Sequence, residues 1–103
     1  MAKNKLTILA VCGSGVVSSS MIAHKVEEML QPLEIEVNVI GLLPMSVENY
    51  IQNNVVDFVV TTSPIPGEIH VPVIKGVALL TGFNEEDVVE KIRQTAQQIL
   101  NEG

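Results

Sequence analysis

The chain has 103 residues, of which 47% are hydrophobic and 17% charged, so the sequence can bury a core and is not compositionally disordered. Twelve acidic and six basic residues give a formal net charge of −6, which argues against nonspecific binding to nucleic acid or to an anionic membrane. The single cysteine excludes an internal disulfide and favours a reducing, cytoplasmic compartment.

The first half of the chain has the pattern strand, helix, strand, helix. Apolar runs rich in β-branched residues predict strands at residues 7–11 and 35–40. The helical pattern between them ends at Gln31-Pro32, because proline disfavours helical geometry in the residue before it. The expected buried face of this helix comprises Met21, Ile22, Val26, Met29 and Leu30. A shorter helix over about residues 45–52 is expected to bury Val47, Tyr50 and Ile51.

The second half adds two strands and a long helix. Strands are predicted at residues 55–61 and 71–74, and the two prolines and one glycine of residues 61–68 predict a loop between them. Residues 77–80 are expected to form a buried connection. Asn84 is expected to cap the last helix. The first turn of this helix contains three acidic residues, which interact favourably with the helix dipole. Its expected apolar face comprises Val88, Ile92, Ala96, Ile99 and Leu100.

This order of elements predicts a fold class and the place of a site. We expect a three-layer α/β/α domain over residues 1–103, with a four-stranded, mainly parallel Rossmann-like sheet and about three helices. In such sheets, ligands bind beyond the carboxyl ends of the strands. The site should therefore follow the first strand.

The segment after the first strand has the composition of a phosphate cradle. It comprises Cys12, Gly13, Ser14, Gly15, Val16, Val17, Ser18 and Ser19, and it leads into the first helix. The glycines allow the backbone to curl so that N–H groups converge, and the serines add hydroxyl donors at a helix N-terminus. Such a position can lower the pKa of a thiol from about 8.5 to roughly 3.5–7.5 and make it a nucleophile. The alternative is that Cys12 is a small buried hydrophobic residue and the glycines make a tight turn.

Established phosphate motifs fit this segment poorly. No lysine follows at the spacing that nucleotide-hydrolysing P-loops require. Small tyrosine phosphatases have Cys-x5-Arg, and here Ser18 occupies the position of the arginine. Without that bidentate cation, hydrolysis is less favoured than reversible carriage of a phosphoryl group. A small cysteine phosphatase and a noncatalytic anion-binding regulatory module remain the alternative functions.

Three blocks in order carry a resemblance to a known family. They are the Cys12-Gly13-x-Gly15 loop, the pair Thr61-Thr62, and residues 69–76 followed by Thr81-Gly82. In these blocks the chain resembles the enzyme IIB components of the bacterial sugar phosphotransferase system, within the galactitol-type branch. The resemblance implies that Cys12 is the phosphorylated nucleophile and that residues 13–19 bind its phosphate.

The same resemblance implies the partners. Enzyme IIA would donate the phosphoryl group from a phosphohistidine, and the membrane-embedded enzyme IIC would hold the acceptor, a sugar or a sugar alcohol such as galactitol. The protein would then be cytoplasmic and transiently at the inner face of the membrane, and no cofactor, metal or nucleic acid is expected. Val16, Val17 and residues 63–68 are expected to surround the site on the partner surface. His70 is expected to lie outside the site.

Overall fold

The computed structural model describes residues 5–13, 16–33 and 35–102, and the side chains of all of these except residues 16–19, 80 and 102. The strands are β1 (Lys5–Val11), β2 (Glu36–Leu42), β3 (Phe58–Thr61) and β4 (Val73–Lys75). The α-helices are α1 (Val16–Leu30), α2 (Val47–Asn53), α3 (Val77–Thr81) and α4 (Glu85–Glu102), with single 3-10 turns at Gln31–Leu33 and Pro44–Ser46. No helix within these ranges is both long enough and apolar enough to cross a membrane.

The four strands form one sheet in the order β2-β1-β3-β4, and every pair is parallel. The predicted fold class is therefore confirmed. From β1 the chain crosses to one side to form β2 and then returns to the other side to form β3 and β4. The direction of winding changes between β1 and β3, and ligands in open parallel sheets bind at the carboxyl ends of the strands at such a point.

Both faces of the sheet are covered, because successive residues of β1 point to opposite sides. On one side a buried cluster joins β1 to α1, α3 and α4 through Leu6, Ile8, Ala10, Ile22, Val26, Leu79, Ile92 and Ala96. On the other side, Leu9 and Val11 pack with Val47 of α2. The loop between β3 and β4 completes this second layer with the partly buried side chains of Ile65, Ile69 and Val71.

The first layer is also held by polar contacts between helices. The side chain of Lys25 in α1 donates to the carbonyl oxygen of Leu79 at 2.7 Å and lies 3.5 Å from a carboxylate oxygen of Glu85. Arg93 of α4 donates through Nε to the carbonyl oxygen of Met29 at 3.0 Å. That carbonyl belongs to the last turn of α1, where four carbonyls lack a partner within the helix.

Two local predictions were wrong, and residues 77–81 are more regular than the connection that was expected there. Met21 is 51% exposed, because the face of α1 that meets the sheet is formed by Ile22, Val26, Met29 and Leu30. Val55 is 79% exposed and precedes β3, which begins only at Phe58. Residues 77–81 form the short helix α3, which ends at Gly82 in the left-handed conformation that glycine adopts readily.

Candidate functional site

Cys12 directly follows β1, at the carboxyl edge of the sheet beside the change in winding direction. Its exposed fraction is 1%, and it belongs to the cluster that packs under α1. Helix α1 begins at Val16, four residues later. The strand therefore delivers the single thiol of the chain to the position where parallel sheets bind ligands.

The loop after β3, the strand next to β1, forms hydrogen bonds to the residues on either side of Cys12. The N–H group of Thr62 donates to the carbonyl oxygen of Val11 at 3.0 Å. The N–H group of Gly13 donates to the hydroxyl oxygen of Ser63 at 3.1 Å. The residues on either side of Cys12 are thus each bonded to the Thr62-Ser63 pair, which lies 50 positions further along the chain.

Thr61 fixes the conformation of this pair. Its hydroxyl donates to the carbonyl oxygen of Ser63 at 2.6 Å and accepts the N–H group of Ser63 at 3.1 Å. Thr61 is 6% exposed, and its own carbonyl oxygen accepts the N–H group of Gly76 at 2.6 Å. This is the local side-chain-to-backbone bonding that lets threonine stabilise a turn. The turn therefore positions the Ser63 hydroxyl against Gly13.

The far end of the same loop is attached to α2. Oε2 of Glu48 accepts the N–H group of Glu68 at 2.7 Å. Gly67 precedes this contact with φ at +94°, and a Cβ at that position would collide with the Glu48 carboxylate. The positive φ favours glycine there, whereas the Glu48 carboxylate is the end of a flexible side chain and could move away from a Cβ.

A cleft of about 470 Å³ opens beside Ser63, between the loop after β3 and the end of β4. Its volume lies in the range of small-ligand sites. Most of its lining is apolar, and Lys75 contributes an ammonium group. The lining residues are Thr61, Thr62, Ser63, Pro64, Ile65, Ile69, Val73, Lys75 and Val77.

The segment after β2 also lies near Gly13. A Cβ built on Gly13 would lie 2.9 Å from the Ser63 hydroxyl oxygen and 4.0 Å from Cγ of Pro44. The residue after Pro44, Met45, is 79% exposed. Ser63 and Pro44 therefore both border the space into which a Cβ at position 13 would project.

Much of the predicted cradle lies outside the described residues. Ser14 and Gly15 are not described, nor are the side chains of Val16, Val17, Ser18 and Ser19 in the first turn of α1. Their role in binding phosphate stays a prediction. His70 is exposed, with its Nε2 3.6 Å from a carboxylate oxygen of the equally exposed Glu68.

Ser63 was expected only among the residues around the site, and its direct contact with Gly13 was not predicted. One signal was available, since a hydroxyl residue follows the third predicted strand, and the carboxyl ends of parallel strands meet at one edge. The sequence pattern does not give the order of strands in the sheet, which places β3 next to β1.

Comparison with known proteins yields two matches. The family model of the PTS system lactose/cellobiose-specific IIB subunit matches residues 7–91. The chain is also 30% identical over 95 residues to SgcB of Escherichia coli (strain K12), by its name a candidate phosphotransferase enzyme IIB component. That alignment covers 88% of this chain and 97% of SgcB.

Proposed function

The chain belongs to the family of phosphotransferase system IIB subunits, and from this membership we propose that it relays a phosphoryl group on Cys12. The family places it among the phosphotransferases that serve sugar import. The resemblance to enzyme IIB components is thereby confirmed. The galactitol branch stays a prediction, because the matching family is described as lactose/cellobiose-specific.

The position of Cys12 is the observation that carries the proposal. It is the only cysteine of the chain, and it directly follows the strand beside which the winding direction changes. A helix begins shortly after it, and such an N-terminus favours both a thiolate and a phosphate group. Since Cys12 is 1% exposed, a donor reaches the sulfur only after the residues that cover it have moved.

The first transfer brings the group from enzyme IIA to Cys12. The thiolate sulfur attacks the phosphorus of the phosphohistidine, so that an S–P bond forms while the P–N bond breaks. The electron pair of the broken bond remains on the imidazole nitrogen of enzyme IIA. Backbone N–H groups and hydroxyls around Cys12 stabilise the phosphoryl oxygens during this step.

The second transfer delivers the group to the sugar or sugar alcohol held by enzyme IIC. A hydroxyl oxygen of the substrate attacks the phosphorus, an O–P bond forms, and the S–P bond breaks with its electron pair returning to sulfur. The hydroxyl proton leaves to water. The protein thus acts in the cytoplasm and meets enzyme IIC at the inner face of the membrane.

Direct detection of the phosphorylated protein tests this proposal. Incubation with phosphorylated enzyme IIA should add one phosphoryl group to the intact mass, located on Cys12 by fragmentation. Absence of the added mass under conditions in which enzyme IIA remains phosphorylated would contradict the relay. Transport assays with the cognate enzymes IIA and IIC would then identify the sugar, with galactitol as the first candidate.

We expect enzyme IIA to dock over the loops that border Cys12. In a titration of the labelled protein with enzyme IIA, the amide resonances of Val16, Val17 and the non-proline residues within 63–68 should shift. These segments follow neighbouring strand ends, and a transient contact between proteins is small and partly apolar. The exposed Val55, at the opposite edge of the sheet, provides the internal control. If only resonances near Val55 shifted, the docking surface would lie at the amino-terminal ends of the strands instead.

A further inference from the structure

We propose that the hydroxyl of Ser63 is a ligand of the phosphoryl group on Cys12, so that two strand ends build the phosphate site. This inference rests on the relay function proposed above. The segment assigned from the sequence, residues 13–19, comes entirely from the connection between β1 and α1. Ser63 comes from the loop after β3 and makes no covalent bond in either transfer.

The backbone contacts place Ser63 beside the reacting residue. Thr62 bonds to Val11 and Ser63 bonds to Gly13, so the loop after β3 contacts the residue before Cys12 and the residue after it. Because Cys12 directly follows β1, a group attached to its sulfur would lie near the carboxyl end of this strand. The Ser63 hydroxyl already lies at this edge, 3.1 Å from the first N–H group after Cys12.

The hydrogen-bonding capacity of this hydroxyl suits a phosphate ligand. In the contact with Gly13 it acts as an acceptor, which leaves its O–H group to donate elsewhere. A phosphoryl oxygen would compete with the Ser63 oxygen for the Gly13 N–H group, because a charged acceptor forms the stronger bond. Ser63 would then change from acceptor to donor, with both groups directed at the phosphate.

The turn around Thr61 makes this exchange possible without rebuilding the loop. Two hydrogen bonds between Thr61 and Ser63 hold the backbone of Ser63 in place. Only rotation about the Cα–Cβ and Cβ–Oγ bonds of Ser63 is needed to redirect its O–H group.

Removal of the hydroxyl should therefore weaken the phosphorylated state. For Ser63→Ala, we expect the equilibrium of phosphoryl exchange with enzyme IIA to shift toward enzyme IIA by about 10- to 100-fold, the effect of one hydrogen bond to a charged group. The quantity to measure is the phosphorylated fraction of each protein at equilibrium, by intact mass. An equilibrium is insensitive to any change in docking rate.

A second readout separates a phosphate ligand from a structural tether. A donor to the dianion lowers the pKa of the phosphoryl group, so Ser63→Ala should raise this pKa in a ³¹P titration of the phosphorylated protein. Ser63→Thr retains a hydroxyl and should restore both the equilibrium and the titration. Ser46→Ala is the matched control, because the Ser46 side chain is exposed and makes no capping hydrogen bond to α2.

The outcomes distinguish this inference from the relay itself. If wild-type protein is phosphorylated and Ser63→Ala matches it in equilibrium and titration, Ser63 is only a tether and the inference is wrong. If wild-type protein accepts no phosphoryl group, the relay fails and the inference with it. If Ser63→Ala does not fold, the wild-type protein alone still tests the inference. Its Gly13 amide resonance must move on phosphorylation, and an unchanged resonance would refute the exchange of partners.

Discussion

Cys12→Ser is expected to accept no phosphoryl group from enzyme IIA. The serine hydroxyl does not ionise near neutral pH, so the variant lacks the nucleophile, whereas a thiol beside a helix N-terminus has substantial thiolate character. We expect complete loss of the added mass in the intact protein, with an unfolding midpoint close to that of the wild type. The comparison requires equal amounts of phosphorylated enzyme IIA with both proteins.

His70→Gln provides the matched control for Cys12→Ser, because His70 is exposed and its ring contacts only Glu68 among the described residues. This variant should be phosphorylated like the wild type. Label that persists in Cys12→Ser and disappears in His70→Gln would move the carrier from the thiol to the imidazole. Steady release of phosphate from an aryl phosphate, dependent on Cys12, would instead favour the alternative of a small cysteine phosphatase.

Gly76→Ala is expected to destabilise the fold by about 1–3 kcal/mol, the usual range for an added methyl group in a packed core. The φ angle of Gly76 is −108°, so the backbone itself tolerates alanine. The new Cβ, however, would lie 2.7 Å from Cγ1 of Val60. Val60 is fully buried and β-branched, so its side chain is stiff and surrounded by packed neighbours.

Chemical denaturation of six proteins tests this origin of the strain: the wild type, Gly76→Ala and Gly82→Ala, each with and without Val60→Ala. In the Val60→Ala background the colliding atom is gone, so Gly76→Ala should then cost much less than in the wild type. Gly82→Ala serves as the control. Its cost arises from φ at +76°, with no atom within 4 Å, and it should be the same in both backgrounds. Equal costs of Gly76→Ala in both backgrounds would exclude the contact with Val60 as the cause.

The sequence allowed the order of elements to be predicted because each depends on local periodicity. The helical spacing of Ile22, Val26 and Leu30 is sufficient to identify a buried face, and these residues are fully buried. The exposure of Met21 depends instead on how α1 lies against the sheet, which no local pattern contains. The same applies to Ile65, whose burial in a proline-containing loop depends on the packing of that loop against the sheet.

The site was predictable only where it follows from a strand end. Cys12 could be located because β1 is a clear apolar run and a ligand site is expected beyond it. Residues 63–68 could be placed around the site because they follow another strand end, but the hydrogen bond between Gly13 and Ser63 requires that β3 pair with β1 rather than with β2. The order of strands is a property of the whole chain, so long-range contacts such as Gly13 to Ser63 lie beyond an analysis of local patterns.

This long-range contact has a consequence for biosynthesis. The segment from β1 to β2 can pair as soon as residue 42 has emerged from the ribosome, since Lys5 pairs with Glu36 and Val11 with Leu42. The partners of Val11 and Gly13 at the site belong to Thr62 and Ser63, which are synthesised some twenty residues later. A nascent chain therefore carries its cysteine next to an unfinished sheet edge until β3 arrives. Cys12 therefore gains these neighbours only in the second half of synthesis, when β3 joins the sheet beside β1.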